Sequence, residues 1–460
     1  MRWILPPAVL LCLAAAGAQA TERSPAPAGS SDIPLQHDNW PRVDVPWQAA
    51  RNAADWWQAF GSASLPALQA RARAANPGLL SAQAAIAKAR ATLAATDADG
   101  SVQLTASASS QHSRQGGSGS STSRLAPELS YSLDWWGKQA AASRAAAVRL
   151  AASEASRDAS ALTLDSEVAR QYFTLLALTQ QQQLASRQLT LMTQRSLLLQ
   201  QQVAYGAKAG YELAALQQDV ASKTASVAAL TLSLRQAYSA LAVLCGAATP
   251  DFQLTPEPLA DLQLPYPAPL QPAALLLQRP DIRAADATLQ AAQADIAAAR
   301  AALYPTLTFS WQGVLSKVAG GPSQWVATAA AALAGTLYDG GRLRAGVRYS
   351  EAAWQEQLQA WRSTVLSAIA EADNAMQALA AYQQAMTALE AQLQAAEQQE
   401  RASDARYRLG AIDKSSLLAQ QETTLAVRQS WFEMRSKLLS ASATLYEALG
   451  GAPLLAASGG

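Results

Sequence analysis

The chain has 460 residues, of which 35 are basic and 34 acidic, so its formal net charge is +1. Such a balance gives no electrostatic reason to bind nucleic acid, and we expect no nucleic-acid partner. Charged residues make up only 15% of the chain, yet no apolar run reaches 18 residues, so we expect no transmembrane helix. A weakly charged chain without such a helix can still enter a membrane as a β-barrel.

Residues 1–20 have the pattern of a secretory signal peptide. Arg2 is followed by an apolar core at residues 9–16 and by the small-residue cleavage site Ala18-Gln19-Ala20. The alternative is an uncleaved membrane anchor, but the apolar core is too short to form a membrane-spanning helix. Cys12 lies inside the apolar core, so we expect no lipidation. Cleavage leaves Cys245, which cannot form an intrachain disulfide and is predicted to be a small buried residue.

The mature chain contains two copies of one unit, because three glycine positions recur 204 residues apart. Gly137 matches Gly341, Gly206 matches Gly410 and Gly246 matches Gly450. Each copy is predicted to contain a helix, a β-hairpin, a very long helix, a tip turn and a last helix. The predicted segments are an N-terminal equatorial segment at 21–75, repeat 1 at 76–249, a Pro-rich connection at 250–279, repeat 2 at 280–450 and a tail at 451–460.

The predicted hairpins, at 101–136 and 305–340, alternate apolar and polar residues with the two-residue period of strands. Each strand is expected to have about ten residues, enough to cross a bilayer when tilted. A polar loop is predicted at 116–121, and the return strand of the second hairpin at 325–337. Aromatic residues at one end of both hairpins predict a girdle at the membrane–water interface, namely Trp135, Trp136, Tyr304 and Tyr338.

Taken alone, such hairpins are also typical of a half-buried sheet in a soluble domain. Four strands leave two unpaired edges and cannot close a membrane barrel, whose smallest known forms have about eight strands. Three chains would supply twelve strands and leave no edge. The sequence therefore predicts an oligomer, and a homotrimer is the simplest one.

The long helices are predicted at 138–204 and 342–408, and the last helices at 212–245 and 416–449. The first long segment has no proline or glycine, and its 67 residues would span roughly 100 Å. Apolar residues in the last helices recur every three or four positions, which indicates packing against a neighbouring helix. Gly206 and Gly410 are expected to reverse the chain at a tip far from the strands.

Four motifs give the chain a family resemblance. They are DWWQAFG at 55–61, LDWWGK at 133–138, RPDIRAAD at 279–286 and YDGGR at 338–342. Together they resemble those of TolC-like outer membrane factors, the efflux and NodT-type channels of Gram-negative bacteria, across essentially the whole mature chain. The last residue of the RPDIRAAD motif is an aspartate where the family has glutamate.

The resemblance implies an α+β membrane protein with two structural repeats per chain. Its trimer would form a twelve-stranded transmembrane β-barrel, four strands per chain, continued by a long periplasmic α-helical barrel. It would sit in outer-membrane lipid and provide the exit duct of a tripartite efflux or type I secretion system. A periplasmic membrane-fusion adaptor and an inner-membrane pump, most often of the resistance–nodulation–division type, would be its partners.

The resemblance also assigns roles at the tip. Adaptor-contacting turns would be formed by Gly206, Ala207, Leu409, Gly410 and Ala411. A hydrogen-bonded pair between neighbouring hairpins would hold the tip shut, and it corresponds here to Glu212 and Tyr407. Glu212 is equally explained as a solvated acid at a helix N-terminus.

Two positions depart from the family at the tip. Ala419 stands where many relatives have an acidic ring, and Ile412 stands where some have an arginine. Asp413 and Lys414 are therefore candidates to supply replacement gate charges.

Two other functions remain as alternatives, a periplasmic adaptor and a structural coiled-coil protein, whereas an enzyme is not expected. His37 and His112 lie in unpromising polar or Gly-Ser surroundings, and no metal-ligand cluster, nucleophile elbow or phosphate loop appears, so we expect no enzyme and no cofactor. A periplasmic adaptor would have one helical hairpin and soluble β-domains. A structural coiled-coil protein of the envelope would lack the β-hairpins and the Pro-rich connection.

Overall fold

The computed structural model describes residues 56–115, 118–265 and 278–451, all of which belong to one unit, Asn39–Gly460. The predicted signal peptide, Cys12 and His37 lie outside the described residues, as do most of the equatorial segment, part of the Pro-rich connection and nearly all of the tail. The helices are α1 (Leu65–Ala75), α2 (Pro77–Asp99), α3 (Lys138–Ala204), α4 (Gly210–Leu244), α5 (Pro280–Ala301), α6 (Arg342–Arg408) and α7 (Lys414–Ala448).

The four strands form a single antiparallel sheet in the order β1 (Gln103–Gln115), β2 (Ser118–Leu133), β3 (Thr306–Val318) and β4 (Ser323–Ala334). The outer edges of β1 and β4 have no strand beside them in the described part of one chain. The strands have 13, 16, 13 and 12 residues and are longer than the ten expected. The loop predicted at 116–121 is mostly strand, because β2 begins at Ser118 and its serines pair with β1.

The return strand also ends earlier than predicted, at Ala334 instead of residue 337. The last helices begin two residues before their predicted starts, at Gly210 and Lys414. In α7 the reason is visible, since Asp413 accepts a hydrogen bond from the Ser416 backbone N–H at 2.9 Å and caps the helix there.

The long helices α3 and α6 have 67 residues each and span roughly 100 Å at 1.5 Å per residue. Alanine, glutamine and leucine dominate α3, and no proline interrupts its backbone hydrogen bonds. Helix α3 packs along α4 on one side and α7 on the other, while α6 packs along α7. The four helices therefore form a row in the order α4, α3, α7, α6.

Helix α4 is at one end of this row and is much less covered than its counterpart α7. Four residues of α4 are buried, against fourteen in α7. It is the helix in the described part of the chain that is long and apolar enough to cross a membrane by length and composition alone. Polar residues such as Arg235 and Gln236 interrupt its sequence, so no apolar run in it reaches 18 residues. Its exposed apolar residues include Leu232 and Val243.

The hydrophobic core lies where α1, the Pro-rich connection and the last turns of α4 and α7 meet α3. Phe60 packs against Phe173 with ring centroids 4.9 Å apart, and Trp56 stacks on Tyr446 at 4.9 Å. The Tyr172 hydroxyl donates to Glu257 Oε1 at 2.6 Å. The pKa of Tyr172 is raised mainly by burial and to a smaller extent by this hydrogen bond to Glu257.

Each repeat is closed by a side chain that joins its beginning to its end. In repeat 1, Asn76 accepts from the Leu79 N–H at the start of α2 and donates to the Leu244 carbonyl at 3.0 Å. In repeat 2, Arg279 donates to the Ala448 carbonyl at 3.0 Å. Leu244 and Ala448 are 204 residues apart, so different side chains perform the same task in the two copies.

Candidate membrane surface and channel tip

The two faces of the sheet are exposed in the opposite sense to those of a soluble protein. Leu129 and Phe309 on the apolar face are 39% and 45% exposed, whereas Ser130 and Ser310 on the polar face are only partly exposed. Side chains of a strand alternate between faces, so at these positions of β2 and β3 the apolar face is the more exposed one. Hydrophobic residues exposed on one face require an apolar surrounding, which a bilayer supplies.

The apolar face has the height of a membrane. In β2 its residues run from Leu133 to Leu125, and all of them except Pro127 pair with an apolar residue of β3, such as Leu307 and Leu315. Eight residue steps of about 3.3 Å give roughly 26 Å, close to the apolar band of about 25 Å in outer-membrane barrels.

The aromatic girdle is partly assembled within one chain. Trp136 stacks on Tyr304 with ring centroids 4.5 Å apart, and its indole N–H donates to the Pro305 carbonyl at 2.8 Å. Trp135 and Tyr338 are both largely exposed. All four residues lie at the sheet end that continues into the helices, and their role at the membrane interface remains a prediction.

Two of the family-like motifs have a structural task at this end. Asp134 accepts from the backbone N–H of Ala140 at 2.8 Å, and Asp339 accepts from Leu343 at 2.8 Å. The bonds from the Leu343 and Gly341 N–H groups hold the pKa of Asp339 below its usual range. Both carboxylates therefore satisfy free N–H groups where a long helix begins. The motifs alone did not predict this capping role of the two aspartates.

The tip turns have the same backbone geometry in both repeats. Gly206 and Gly410 adopt φ values of +73° and +72°, where a side chain would be strained. The following N–H groups, of Ala207 and Ala411, bond back to the carbonyls of Gln202 and Arg406, each at 2.8 Å. This arrangement is a Schellman motif, which ends a helix and turns the chain.

The tip exposes large apolar side chains. Leu409 is 84% exposed, and Tyr205 and Tyr211 are exposed to a similar degree. These residues flank the two glycine turns. Exposed apolar residues grouped at one end of a protein mark a contact surface.

The predicted gate pair is not formed within one chain. Glu212 is bonded to Lys208 at 3.1 Å, and Tyr407 has no hydrogen bond from its hydroxyl among the described residues. Glu212 belongs to α4 and Tyr407 to α6, which are the two ends of the helical row. A contact between them thus requires α6 of one chain to approach α4 of another.

The candidate replacement charges lie beside the turns. Hydrogen bonds from Ser416, with smaller contributions from Gln202 and Lys208, lower the pKa of Asp413. Lys208 and Asp413 therefore link the two tip turns electrostatically. Lys414 forms no ion pair within the ranges that the structure covers.

A buried ion pair that the sequence did not predict lies above the tip. Arg195 on α3 donates to Glu422 on α7 at 2.6 Å, and the Glu422 side chain is only 10% exposed. Burial raises the pKa of Glu422, Arg195 lowers it and Asp219 on α4 raises it. Its only possible sign in the sequence is a charged residue on the apolar face of α7.

No group of three metal-ligating residues occurs among the described residues. The sequence matches the profile of the outer membrane efflux protein family at residues 68–247 and 272–451. It is 31% identical to the pyoverdine export outer membrane protein OpmQ of Pseudomonas aeruginosa over 92% of this chain and 94% of that protein. It is 26% identical to the cation efflux system protein CusC of Escherichia coli over 87% and 90%.

The fold matches solved outer-membrane channels. The open-state MtrE channel of Neisseria gonorrhoeae superposes with a TM-score of 0.77 at 25% identity and covers 90% of this chain and 97% of its own. VceC of Vibrio cholerae superposes with a TM-score of 0.74 at 26% identity and covers 87% and 99%.

Proposed function

Because this chain belongs to the outer membrane efflux protein family and forms a trimeric outer-membrane channel that extends into the periplasm, we propose that it receives its cargo from an adaptor and an inner-membrane pump. The tip binds a periplasmic membrane-fusion adaptor, and the pump is of the resistance–nodulation–division type. The duct itself passes small molecules without chemistry of its own. Pyoverdine export by the relative OpmQ supports a small-molecule cargo over a protein.

The observation that carries this proposal is the exposed apolar tip. Leu409 projects from a glycine turn at the end of a helix of roughly 100 Å, far from the membrane band. The left-handed glycine geometry is repeated at Gly206, so both repeats present a turn of the same shape. The adaptor-contacting surface consists of Gly206, Ala207, Leu409, Gly410 and Ala411.

The gate operates between subunits. Helices α4 and α6 end the helical row of each chain, so ring closure brings Glu212 of one subunit toward Tyr407 of the next. A carboxylate that accepts a hydrogen bond from the tyrosine would hold the tips together. Asp413 and Lys414 supply the charges at the constriction, where Ala419 provides none.

The test uses Leu409→Asp in the native host from which the wild-type chain has been deleted. We expect the wild-type chain to restore export of a fluorescent dye and Leu409→Asp to leave it near the deletion level, because a charge replaces an apolar contact. As a control for folding and assembly, Leu409→Asp should still form trimers with wild-type conductance in planar bilayers. Full dye export by Leu409→Asp would show that the exposed apolar tip does not bind the adaptor.

A further inference from the structure

Polar side chains tie the two helical hairpins of one chain together above the tip. The Arg195 guanidinium of α3 donates to Glu422 Oε2 of α7 at 2.6 Å. Glu422 is eight residues after α7 begins at Lys414, or roughly 12 Å along the helix. Farther from the tip, the Gln429 amide of α7 donates to the Gln181 carbonyl of α3 at 3.2 Å. These contacts join the α3–α4 hairpin to the α6–α7 hairpin.

The internal repeat identifies an equivalent interface between subunits. Helices α3 and α6 have 67 residues each, α4 and α7 have 35 each, and every position in one copy has its counterpart 204 residues away. The α3–α7 interface within a chain therefore corresponds to an interface between α6 of one subunit and α4 of the next. These helices end the row of each chain, and their contact in the closed ring is a premise taken from the proposed function.

The ion pair does not recur at the subunit boundary. The counterpart of Arg195 is Gln399 on α6, and the counterpart of Glu422 is Gln218 on α4. Both glutamines are exposed in a single chain, whereas Glu422 is buried, as expected for positions that only a neighbouring subunit covers. Two neutral amides lack the charge that makes the hydrogen bond between a guanidinium and a carboxylate strong.

The second tie is also missing at the boundary. The counterparts of Gln429 and Gln181 are Ala225 and Ala385, and an alanine side chain forms no hydrogen bond. A third bond, from Gln188 to an α7 carbonyl at 3.2 Å, can recur because the equivalent position of α6 is also a glutamine. Of these three ties, the subunit boundary therefore keeps only the neutral one from α3 or its counterpart.

The proposed gate bond has the opposite distribution. Glu212 and Tyr407 belong to α4 and α6, so their bond lies at the subunit boundary. Their counterparts within a chain are Ser416 and Val203, and the valine side chain cannot take part in such a bond. The gate bond thus belongs to the boundary between subunits, and the ion pair belongs to the interior of each chain.

We propose that Arg195 and Glu422 lock the two hairpins of each chain into one rigid unit, so that the tip opens at the three boundaries between subunits. Three subunits with two hairpins each have six interfaces between hairpins, and the ion pair keeps three of them closed. When the gate bond breaks, α6 of one subunit leaves α4 of the next, while α3 and α7 stay together. The pair is mostly buried, where the attraction between charges is stronger than in water.

The first test removes the lock. Arg195→Gln with Glu422→Gln gives the interface within the chain the same amides as the subunit boundary. Single-channel conductance of trimers in planar bilayers should rise roughly twofold, because six interfaces can then part in place of three. Trimer formation is verified by gel before conductance is compared. Unchanged conductance of the assembled double variant would overturn the proposal.

The second test moves the lock to the subunit boundary. Gln218→Glu with Gln399→Arg, added to the gate variant Tyr407→Phe with Glu212→Ala, should lower the open probability roughly tenfold, because three exposed ion pairs must break together. Both glutamines are exposed in a single chain, so this test stands even if the buried double variant fails to assemble. The matched control is Gln218→Arg with Gln399→Arg, which places like charges at the same positions and should not lower the open probability. An equal response to both charge patterns would overturn the proposal.

Cross-linking separates a failure of this proposal from a failure of the proposed function. Gln218→Cys with Gln399→Cys, treated with a short bismaleimide, should give linked trimers on denaturing gels, and each single cysteine variant should not. Linked trimers together with unchanged conductance in the two tests would overturn the lock alone. Absence of links would show that α4 and α6 do not adjoin between subunits, and the lock would fall together with the proposed gate.

Discussion

Arg73→Ala tests how the equatorial helices are held on α3. The Arg73 guanidinium donates through Nε to Asp165 Oδ1 at 3.0 Å and lies over the Trp57 ring with its carbon 4.5 Å from the centroid. The Asp165 side chain is only 2% exposed. Gln69 binds the Asp165 carbonyl at 2.8 Å, so α1 contacts this position twice.

The expected cost follows from the burial of the carboxylate. Removal of one partner from a buried ion pair costs about 3–5 kcal/mol, because the other charge stays in a low-dielectric surrounding. The Arg73 side chain is 42% exposed, so we expect the lower end of that range. The cation–π contact adds about 0.5–1 kcal/mol.

Arg90→Ala is a matched control in the adjacent helix. Arg90 also pairs with an acid of α3, Glu154, at 3.7 Å, but its side chain is 68% exposed. Such a pair contributes at most about 1 kcal/mol. The midpoint of heat dissociation of the trimer on gels should fall by several degrees in Arg73→Ala and stay near wild type in Arg90→Ala.

Asp165→Asn added to Arg73→Ala should recover part of the loss, because it removes the charge from a carboxylate that is only 2% exposed. Equal effects of the two arginine variants would refute this account of burial. So would a failure of Asp165→Asn to improve Arg73→Ala.

Two further predictions concern the tip. Tyr407→Phe with Glu212→Ala should raise single-channel conductance in planar bilayers, because it removes the inter-subunit gate bond. The control Tyr349→Phe, near the membrane end of α6, should leave the conductance unchanged. An unchanged closed state in the double variant would show that Tyr407 and Glu212 do not form the gate. Asp413→Ala should destabilise the start of α7 by about 1 kcal/mol at pH 7 and speed hydrogen exchange there, because it removes the cap on Ser416. The folded pKa of Asp413 is lowered, so its stabilisation is present above the unfolded value near 4 and is lost as pH falls through the folded pKa. The difference in exchange between variant and wild type should therefore shrink toward pH 3, and a difference that is independent of pH would contradict the carboxylate's role.

Local features of the sequence predicted the helices well. A 67-residue segment without proline or glycine has few alternatives to a helix, and the bounds Lys138–Ala204 agree with the prediction. Gly206 and Gly410 predicted the tip turns for a similar reason, since the left-handed conformation there favours glycine. The 204-residue offset extended both results to the second copy.

The Gly-Ser segment after β1 shows where local reasoning failed. Its composition is typical of a flexible loop, and we predicted one at 116–121. In the structure Ser120 and Ser121 pair with Ser113 and His112, because pairing with β1 provides hydrogen bonds that composition does not reveal. The longer strands also carry Arg114 past the apolar band.

The sequence by itself determined the internal repeat, the helix lengths and the alternation of apolar and polar residues along each strand. The helix lengths and the alternation depend on residues that are close together in the chain. Only the tertiary structure decided the order of the four strands, which helices end the row and which charges meet, such as Arg195 with Glu422 across 227 positions. Those outcomes depend on how distant segments pack, and a side chain's neighbour across a helix interface leaves no local pattern in the sequence.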